Sequence, residues 1–222
     1  MMPLSGMLLI DKPKGVTSHD VVDIVRKKLR MKRIGHAGTL DPLAIGLLII
    51  LAGRATSQFN RYAIFDKEYV ACLRLGTATD SADAQGKVTA VCPLPETISQ
   101  ARVEEIFRSM EGKIENMPPM ISALKHKGRP LYELARKGIT VERKARLVEI
   151  YKLSLRRYCL PDIEFEVKGS KGTYVRSLAE EIAGRLDCVG HISEIRRISI
   201  GPCRVSDAKQ VDAFDENDIR PC

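Results

Sequence analysis

The chain has 222 residues, 44% of them hydrophobic and 29% charged, which is enough to bury a sizeable core in one large domain or two small ones. Its 36 lysines and arginines against 28 aspartates and glutamates give a formal net charge of +8, so a polyanionic partner is expected, nucleic acid first and an anionic membrane surface second. The apolar run Leu47 to Ala52 is too short to span a bilayer and the first residues lack a signal layout, which points to a cytoplasmic location.

Met7 to Ile10 is a short apolar run that leaves into Asp11-Lys12-Pro13-Lys14-Gly15, a strand followed by a turn. Thr17-Ser18-His19-Asp20 has the form of a capping box, a hydroxyl followed three residues on by an acid. The helix it opens carries Val21, Val22, Ile24, Val25 and Leu29 at helical spacing. Arg26 to Arg33 holds six basic residues in eight, a solvated helix face when taken alone and a phosphate-contacting rim when taken with the loop that follows.

That loop, Gly35-His36-Ala37-Gly38-Thr39-Leu40-Asp41-Pro42-Leu43-Ala44-Ile45-Gly46, sets an imidazole, a hydroxyl and a carboxylate within six residues, ahead of a buried apolar element. Pro42 removes a backbone donor and biases Asp41 toward extended conformations, so the carboxylate is not absorbed into a helix interior. Asp-Pro alone is a common turn dipeptide, and only the rest of the chain can make Asp41 a reactive group. Ala55 to Ala63 reads as helix. Lys67 to Leu75 alternates with Tyr69, Ala71, Leu73 and Leu75 on one face, so Tyr69 points to the interior or into a cleft. Pattern alone makes it a core tyrosine with a satisfied hydroxyl.

Asp80, Asp83 and Gly86 fit neither an EF-hand, which wants acids two apart, nor a P-loop, which wants glycine where Ser81 stands. They read as a polar hairpin loop leading into Lys87 to Cys92. Thr97 to Met110 is an amphipathic helix, Pro118-Pro119 stops the next strand, and Met120 to Leu124 begins another. Lys125 to Arg146 is the most basic part of the chain. Within it Pro130 to Lys137 reads as a short helix ended by Gly138, with so little apolar content that a protruding element is expected. Strands resume at Ala145 to Leu155 and Ile163 to Val167. The helix Tyr174 to Leu186 carries Arg176 in its first turn, where the helix dipole disfavours a cation, so an anion is expected to require it. The last strand, Ile192 to Ile200, includes Ile195-Arg196-Arg197 and is followed by a polar tail. With no repeat and no linker, the expectation is a single domain over residues 1–222, mixed α+β around a largely antiparallel sheet, with a basic arm.

The six cysteines include no Cys-x-x-Cys pair and the four histidines lie far apart, so neither zinc nor a disulfide framework is expected.

Gly6 to Pro13, Gly15-Val16-Thr17-Ser18, His36-Ala37-Gly38-Thr39-Leu40-Asp41-Pro42, Lys67-Glu68-Tyr69, Pro118-Pro119 with Ser122-Ala123, and Gly172-Thr173-Tyr174-Val175-Arg176-Ser177-Leu178-Ala179 resemble the TruB family of tRNA pseudouridine synthases, in the family's order and over nearly the whole chain. The resemblance implies the pseudouridine synthase fold, a mixed, largely antiparallel central sheet flanked by helices, with a thumb-like RNA-gripping insertion at about 125–146. It implies that Asp41 is the catalytic aspartate, that Tyr69 stacks on the target base, that Arg176 pairs with the aspartate and that His36 helps to hold the target nucleotide out of its stack. Ile195 then falls in the active-site wall, and Lys12, Arg33, Lys125, Lys127, Arg129 and Arg143 are the expected RNA contacts. The implied substrate is the TΨC arm of tRNA at uridine 55, taken by a monomer without metal or cofactor. Ile121 and Ile45 stand where tyrosine and threonine are common in the family. The chain also stops near the end of the catalytic domain, so the PUA-like domain of many members is expected to be absent. Two other readings stay open: a tRNA-folding chaperone using the same cleft, and a catalytic subunit that depends on guide RNA and partner proteins.

The implied reaction breaks the N1–C1′ bond, turns the uracil, rebonds it through C5 and removes the C5 proton, with no redox step. Asp41 can attack C1′ or take the 2′ proton, and the sequence does not choose. Either route needs an ionised carboxylate in a pocket where burial favours the neutral form, so an opposing charge such as that of Arg176 is required.

Overall fold

The computed structural model describes residues 4–122, 124–126 and 128–222. In chain order its elements are β1 (Gly6–Lys12), α1 (Ser18–Leu29), β2 (Ile34–Ala37), β3 (Ile45–Ala52), α2 (Phe59–Ala63), β4 (Lys67–Leu75), β5 (Thr77–Thr79), β6 (Val88–Val91), α3 (Gln100–Ser109) and β7 (Gly112–Asn116). There follow β8 (Lys125–His126), β9 (Arg129–Pro130), α4 (Leu131–Arg136), β10 (Arg146–Cys159), β11 (Asp162–Gly169), α5 (Val175–Arg185), β12 (Gly190–Ile200), β13 (Cys203–Arg204) and β14 (Lys209–Gln210). The chain divides into two compact units, Met1–Tyr69 with Ile195–Cys222, and Val70–Glu194. The architecture is α+β, and most strand pairs are antiparallel.

In the first unit β14, β1, β3 and β12 lie side by side in that order. β3 runs antiparallel to β1 from Gly6↔Ala52 to Lys12↔Gly46, and β2 pairs antiparallel with β3 from Ile34↔Ala52 to Ala37↔Ile49. Leu47 to Ala52 shows no in–out alternation because both faces of β3 are covered. Leu48, Ile50 and Ala52 pack with Val21, Val22 and Val25 of α1. Leu47, Ile49 and Leu51 pack with Ala55, Tyr62 and Ile200. The predicted capping box opens α1: Thr17 Oγ1 accepts from Asp20 N at 3.0 Å, and Asp20 Oδ2 accepts from Thr17 N at 2.7 Å. The segment expected as helix from Ala55 is a 3-10 turn, Gly53–Gln58, that runs into the short α2.

The tail is polar in composition yet is not a loose end. β14 adds parallel to β1, Phe214 is 2% exposed in the α1 cluster, and Arg220 bridges to Met7. Its few apolar residues are spaced to reach that cluster, which a composition-based reading does not see.

In the second unit β4, β11, β10 and β7 lie in that order, with β10 antiparallel to both its neighbours. β11 alternates strictly and buries Ile163, Phe165 and Val167. Phe107 of α3 meets Phe165 edge to face at 5.9 Å between centroids. α3 is capped by Ser99 and starts later than the expected Thr97. β5 and β6 form the expected hairpin around residues 80–87. Met120 to Ser122 is bent chain rather than a strand, and Ser122 O and Leu124 O accept the first amides of α4. Leu131 and Leu134 are buried, so α4 is packed where its composition suggested a protruding element. Among the described residues no helix is long and apolar enough to cross a membrane.

Candidate active site

Asp41 sits in the first unit, on the loop between β2 and β3, and is half-buried. The backbone on either side of it is tied down. Leu40 donates its amide to Ser18 Oγ at 2.8 Å and accepts the same hydroxyl at its carbonyl at 3.1 Å, so the first residue of α1 clamps the residue before the aspartate. On the far side Pro42 O accepts from Gly15 N at 2.8 Å, and Asp41 O accepts from Ala44 N at 3.0 Å. Two glycines shape the ends of the loop. Gly38 has φ +101, and Gly46 has φ +103 with its missing Cβ position only 2.3 Å from Arg197 O, so a glycine is what lets β12 pair parallel at Arg196↔Ile45 and Arg197↔Gly46.

Two buried cations lie beneath this loop. Lys12, completely buried at the end of β1, donates from Nζ to Val16 O at 2.7 Å, Pro13 O at 3.0 Å and Pro42 O at 3.5 Å. Burial pulls its pKa down to about 8, against the opposing pull of Asp41. Lys12 was expected to touch RNA. It instead faces inward from a strand that is buried at its alternate positions, and it spends its donors on loop carbonyls. Arg197, 1% exposed, donates from Nε to Leu47 O at 2.8 Å, from Nη2 to Gly38 O at 3.0 Å and from Nη1 to Thr39 O at 3.3 Å. Burial lowers its pKa, and the charge and hydrogen bonding of Tyr69 together with the charge of Asp41 oppose that. Guanidinium remains charged under all such conditions. The sequence reading passed over Arg197. Its only local signal is a pair of arginines in an apolar strand, where alternation sends Arg196 out to Asp11 at 2.6 Å and Arg197 in.

His36, on β2, is half-buried, and its Nδ1 is buried without a hydrogen-bond partner among the described residues. Burial lowers its pKa, reinforced by Arg197 and His19, so the ring is held neutral near pH 7 with one nitrogen unused. Tyr69 and Ile195 are both half-buried, at the ends of their stretches of the unit. Glu68, next to Tyr69, accepts from Arg204 at 3.0 Å and Ser199 Oγ at 3.1 Å. Arg33 is exposed and donates to Thr56 Oγ1 at 2.8 Å. In the same basic run, Arg26 bonds to Ile34 O and Lys28 lies over the Phe214 ring, so part of that run is structural.

Arg176 lies in the second unit, 5% exposed in the first turn of α5. It donates from Nη1 to Ser81 O at 2.7 Å and from Nη2 to Ile121 O at 2.8 Å, and its Nε is 4.0 Å from Asp83 Oδ2. Asp83 is itself held by Ser81 Oγ at 2.7 Å and Gln85 N at 3.0 Å. The segment read as a polar hairpin loop is thus a buried receptacle for this arginine. Of the expected arm contacts, Arg129 is exposed and Arg143 donates to Pro118 O at 2.9 Å. The side chain of Lys125 and the whole of Lys127 lie outside the described residues. Among the described residues no group of histidines, cysteines and acids could hold a metal.

The model of the TruB family pseudouridylate synthase N-terminal domain matches residues 26–175. The chain is 44% identical over 212 residues to the tRNA pseudouridine synthase B of Opitutus terrae, covering 96% of this chain and 88% of that protein. It is 42% identical over 197 residues to the protein of the same name from Sodalis glossinidius, covering 89% of this chain and 63% of that one. Among solved structures it is similar to a chain of a Cbf5-Nop10-Gar1 complex, with TM-score 0.74 and 27% identity over 97% of this chain and 60% of the other.

Proposed function

The chain belongs to the TruB family of pseudouridylate synthases, and we propose that it isomerises uridine 55 in the TΨC arm of tRNA, with Asp41 as the group that acts at the ribose. The observation that carries this reading is a half-buried carboxylate whose loop backbone is bonded on both sides and underlain by two buried cations. A carboxylate in that setting stays ionised where burial alone would neutralise it, and both open routes, attack on C1′ and removal of the 2′ proton, begin from the ionised form. Arg176 is assigned to pair with Asp41 during the reaction, its orientation set by Ser81 O and Ile121 O.

The uridine must leave its stack, at a cost on the order of a few kcal/mol. Tyr69 offers a ring face, worth roughly 1–3 kcal/mol of stacking per base. His36, neutral and with Nδ1 unused, offers the displaced nucleotide a hydrogen bond, and Ile195 supplies an apolar wall. Within the enzyme the N1–C1′ bond breaks, the C5–C1′ bond forms, the C5 proton departs and N1 regains a proton, so the step is balanced without an electron carrier. Arg33, Arg129, Arg143, Lys125 and Lys127 are assigned to phosphates, where each contact adds to affinity by counterion release. The chain acts as one catalytic domain with a basic arm, as a monomer.

The test uses tRNA tritiated at uracil C5. Release of tritium to solvent is expected from the wild-type chain and abolished in Asp41→Asn, which still binds tRNA. Release from that variant at the wild-type rate refutes the assignment, and release from a transcript carrying cytidine at position 55 refutes the site.

A further inference from the structure

We infer that Arg197 is a positioning residue for the reaction: one guanidinium fixes both ends of the Asp41 loop and the side chain of Tyr69, so that the carboxylate and the ring receiving the base are set by the same group. The inference rests on the roles proposed for Asp41 and Tyr69.

A guanidinium has five N–H donors in a planar fork. Three of those on Arg197 go to Gly38 O and Thr39 O, just before Asp41, and to Leu47 O, just after the loop re-enters β3. One donor remains on each of Nη1 and Nη2, and Tyr69 engages this same guanidinium. The glycines fit this use. A Cβ on Gly38 would stand 3.6 Å from Nη1, and one on Gly46 would meet the Arg197 backbone. The fork is therefore enclosed by the loop it organises.

A purely structural residue here would not need a charge. Burying an arginine is costly, and an apolar side chain of similar volume is commonly the more stable choice. Asp41 acts on Arg197 electrostatically, and that attraction is mutual. The charged and titratable groups around the cluster in this unit are Lys12 from β1, His19 and Asp20 from α1, His36 from β2 and Tyr69 from β4. Of the cations among them, Arg197 alone is both permanently charged and bonded on each side of Asp41.

Two variants separate the fork from the charge, in the full chain with tritium release followed across pH. Arg197→Lys keeps the charge and loses the fork, so kcat is expected to fall about 100-fold, the loss typical of a small misplacement of a reacting group. KM, tRNA binding and the acid limb of the profile stay near wild type. Arg197→Met loses both, so its acid limb also moves to higher pH. A folded Arg197→Lys protein with wild-type kcat overturns the inference, as does a loss of kcat in both variants that merely follows their unfolded fraction. Should neither fold, Tyr69→Phe decides, since it keeps the ring but removes the hydroxyl from the fork: a drop in kcat at unchanged melting temperature supports the inference, and unchanged kcat overturns it. Asp41→Asn is run in parallel. If it is active the proposed function itself fails, whereas an inactive Asp41→Asn beside a fully active Arg197→Lys sinks only the role of Arg197.

Discussion

Gly46→Ala should be far more damaging than Gly15→Ala, although both glycines lie in the same left-handed region. Their φ values are +103 and +89, so in each case alanine carries the strain of a disfavoured backbone conformation, about 1–3 kcal/mol. They differ in what the new methyl group meets. At Gly15 nothing lies within 4 Å of it, whereas at Gly46 it lands 2.3 Å from Arg197 O, 2.8 Å from Arg197 N and 3.1 Å from Arg197 C. Those are backbone atoms of the paired strand and cannot swing away. Relief requires β3 and β12 to part at the Arg197↔Gly46 pair, which strains the bond from Arg197 Nε to Leu47 O. Overpacking of this kind adds about 1–3 kcal/mol and a weakened hydrogen bond about 1 more. The expected losses are about 3–7 kcal/mol for Gly46→Ala and about 1–3 for Gly15→Ala, against a typical total of about 5–15 kcal/mol. Urea unfolding followed by far-ultraviolet circular dichroism measures both. Equal losses with equal m-values would mean that β3 and β12 are not held at the close approach described.

Two further expectations concern the same unit. Lys12 has a pKa of about 8 in the fold against 10.5 ordinarily, so between those values the unfolded chain binds a proton that the folded chain has released, and stability rises with pH through this group. At about 1.4 kcal/mol per unit, wild type should gain about 2 kcal/mol on Lys12→Met between pH 7 and pH 9.5, and a pH-independent difference in their urea midpoints would contradict the burial of the ammonium. Phe214→Ala should cost about 3–5 kcal/mol, because the ring is fully packed beneath α1 and its removal leaves a cavity. A loss below 1 kcal/mol by calorimetry would mean that the tail is after all loosely attached.

Local chemistry was legible wherever neighbours in sequence are neighbours in space. Thr17 and Asp20 form their capping box within one turn, and β4 shows its alternation because its two faces differ. What failed was set by distant partners. Met120 to Ser122 is bent chain whose Ile121 O receives Arg176 and whose Ser122 O receives the amide of Tyr132, and a tail rich in acids is anchored through Phe214, its one aromatic residue. The family resemblance pointed to Asp41, Tyr69, His36 and Arg176, yet it placed Lys12 among RNA contacts and was silent on Arg197. Strand alternation is the one local mark of their burial, and it does not say what their charged ends meet: a lysine or arginine that ends in a ring of carbonyls has the same letters around it as one that ends in water.

Burial first, and Arg197 after it, hold His36 neutral. Lys12 at pH 7 is a unit below its pKa of about 8 and is therefore mostly charged, and Arg197 is charged throughout. Asp41 brings one negative charge to that pair, so protonation of His36 would add a third cation to a cluster already in excess, and Arg197 is among the groups that lower its pKa. A neutral imidazole can donate from one nitrogen and accept at the other, which suits an uncharged base edge or a ribose hydroxyl better than a phosphate. In the proposed role, then, His36 recognises the sugar or base side of the extruded nucleotide, and phosphates are left to the exposed arginines. The positive excess has a second effect. It sets two attractive charges, Lys12 and Arg197, beneath the carboxylate that the proposed reaction uses.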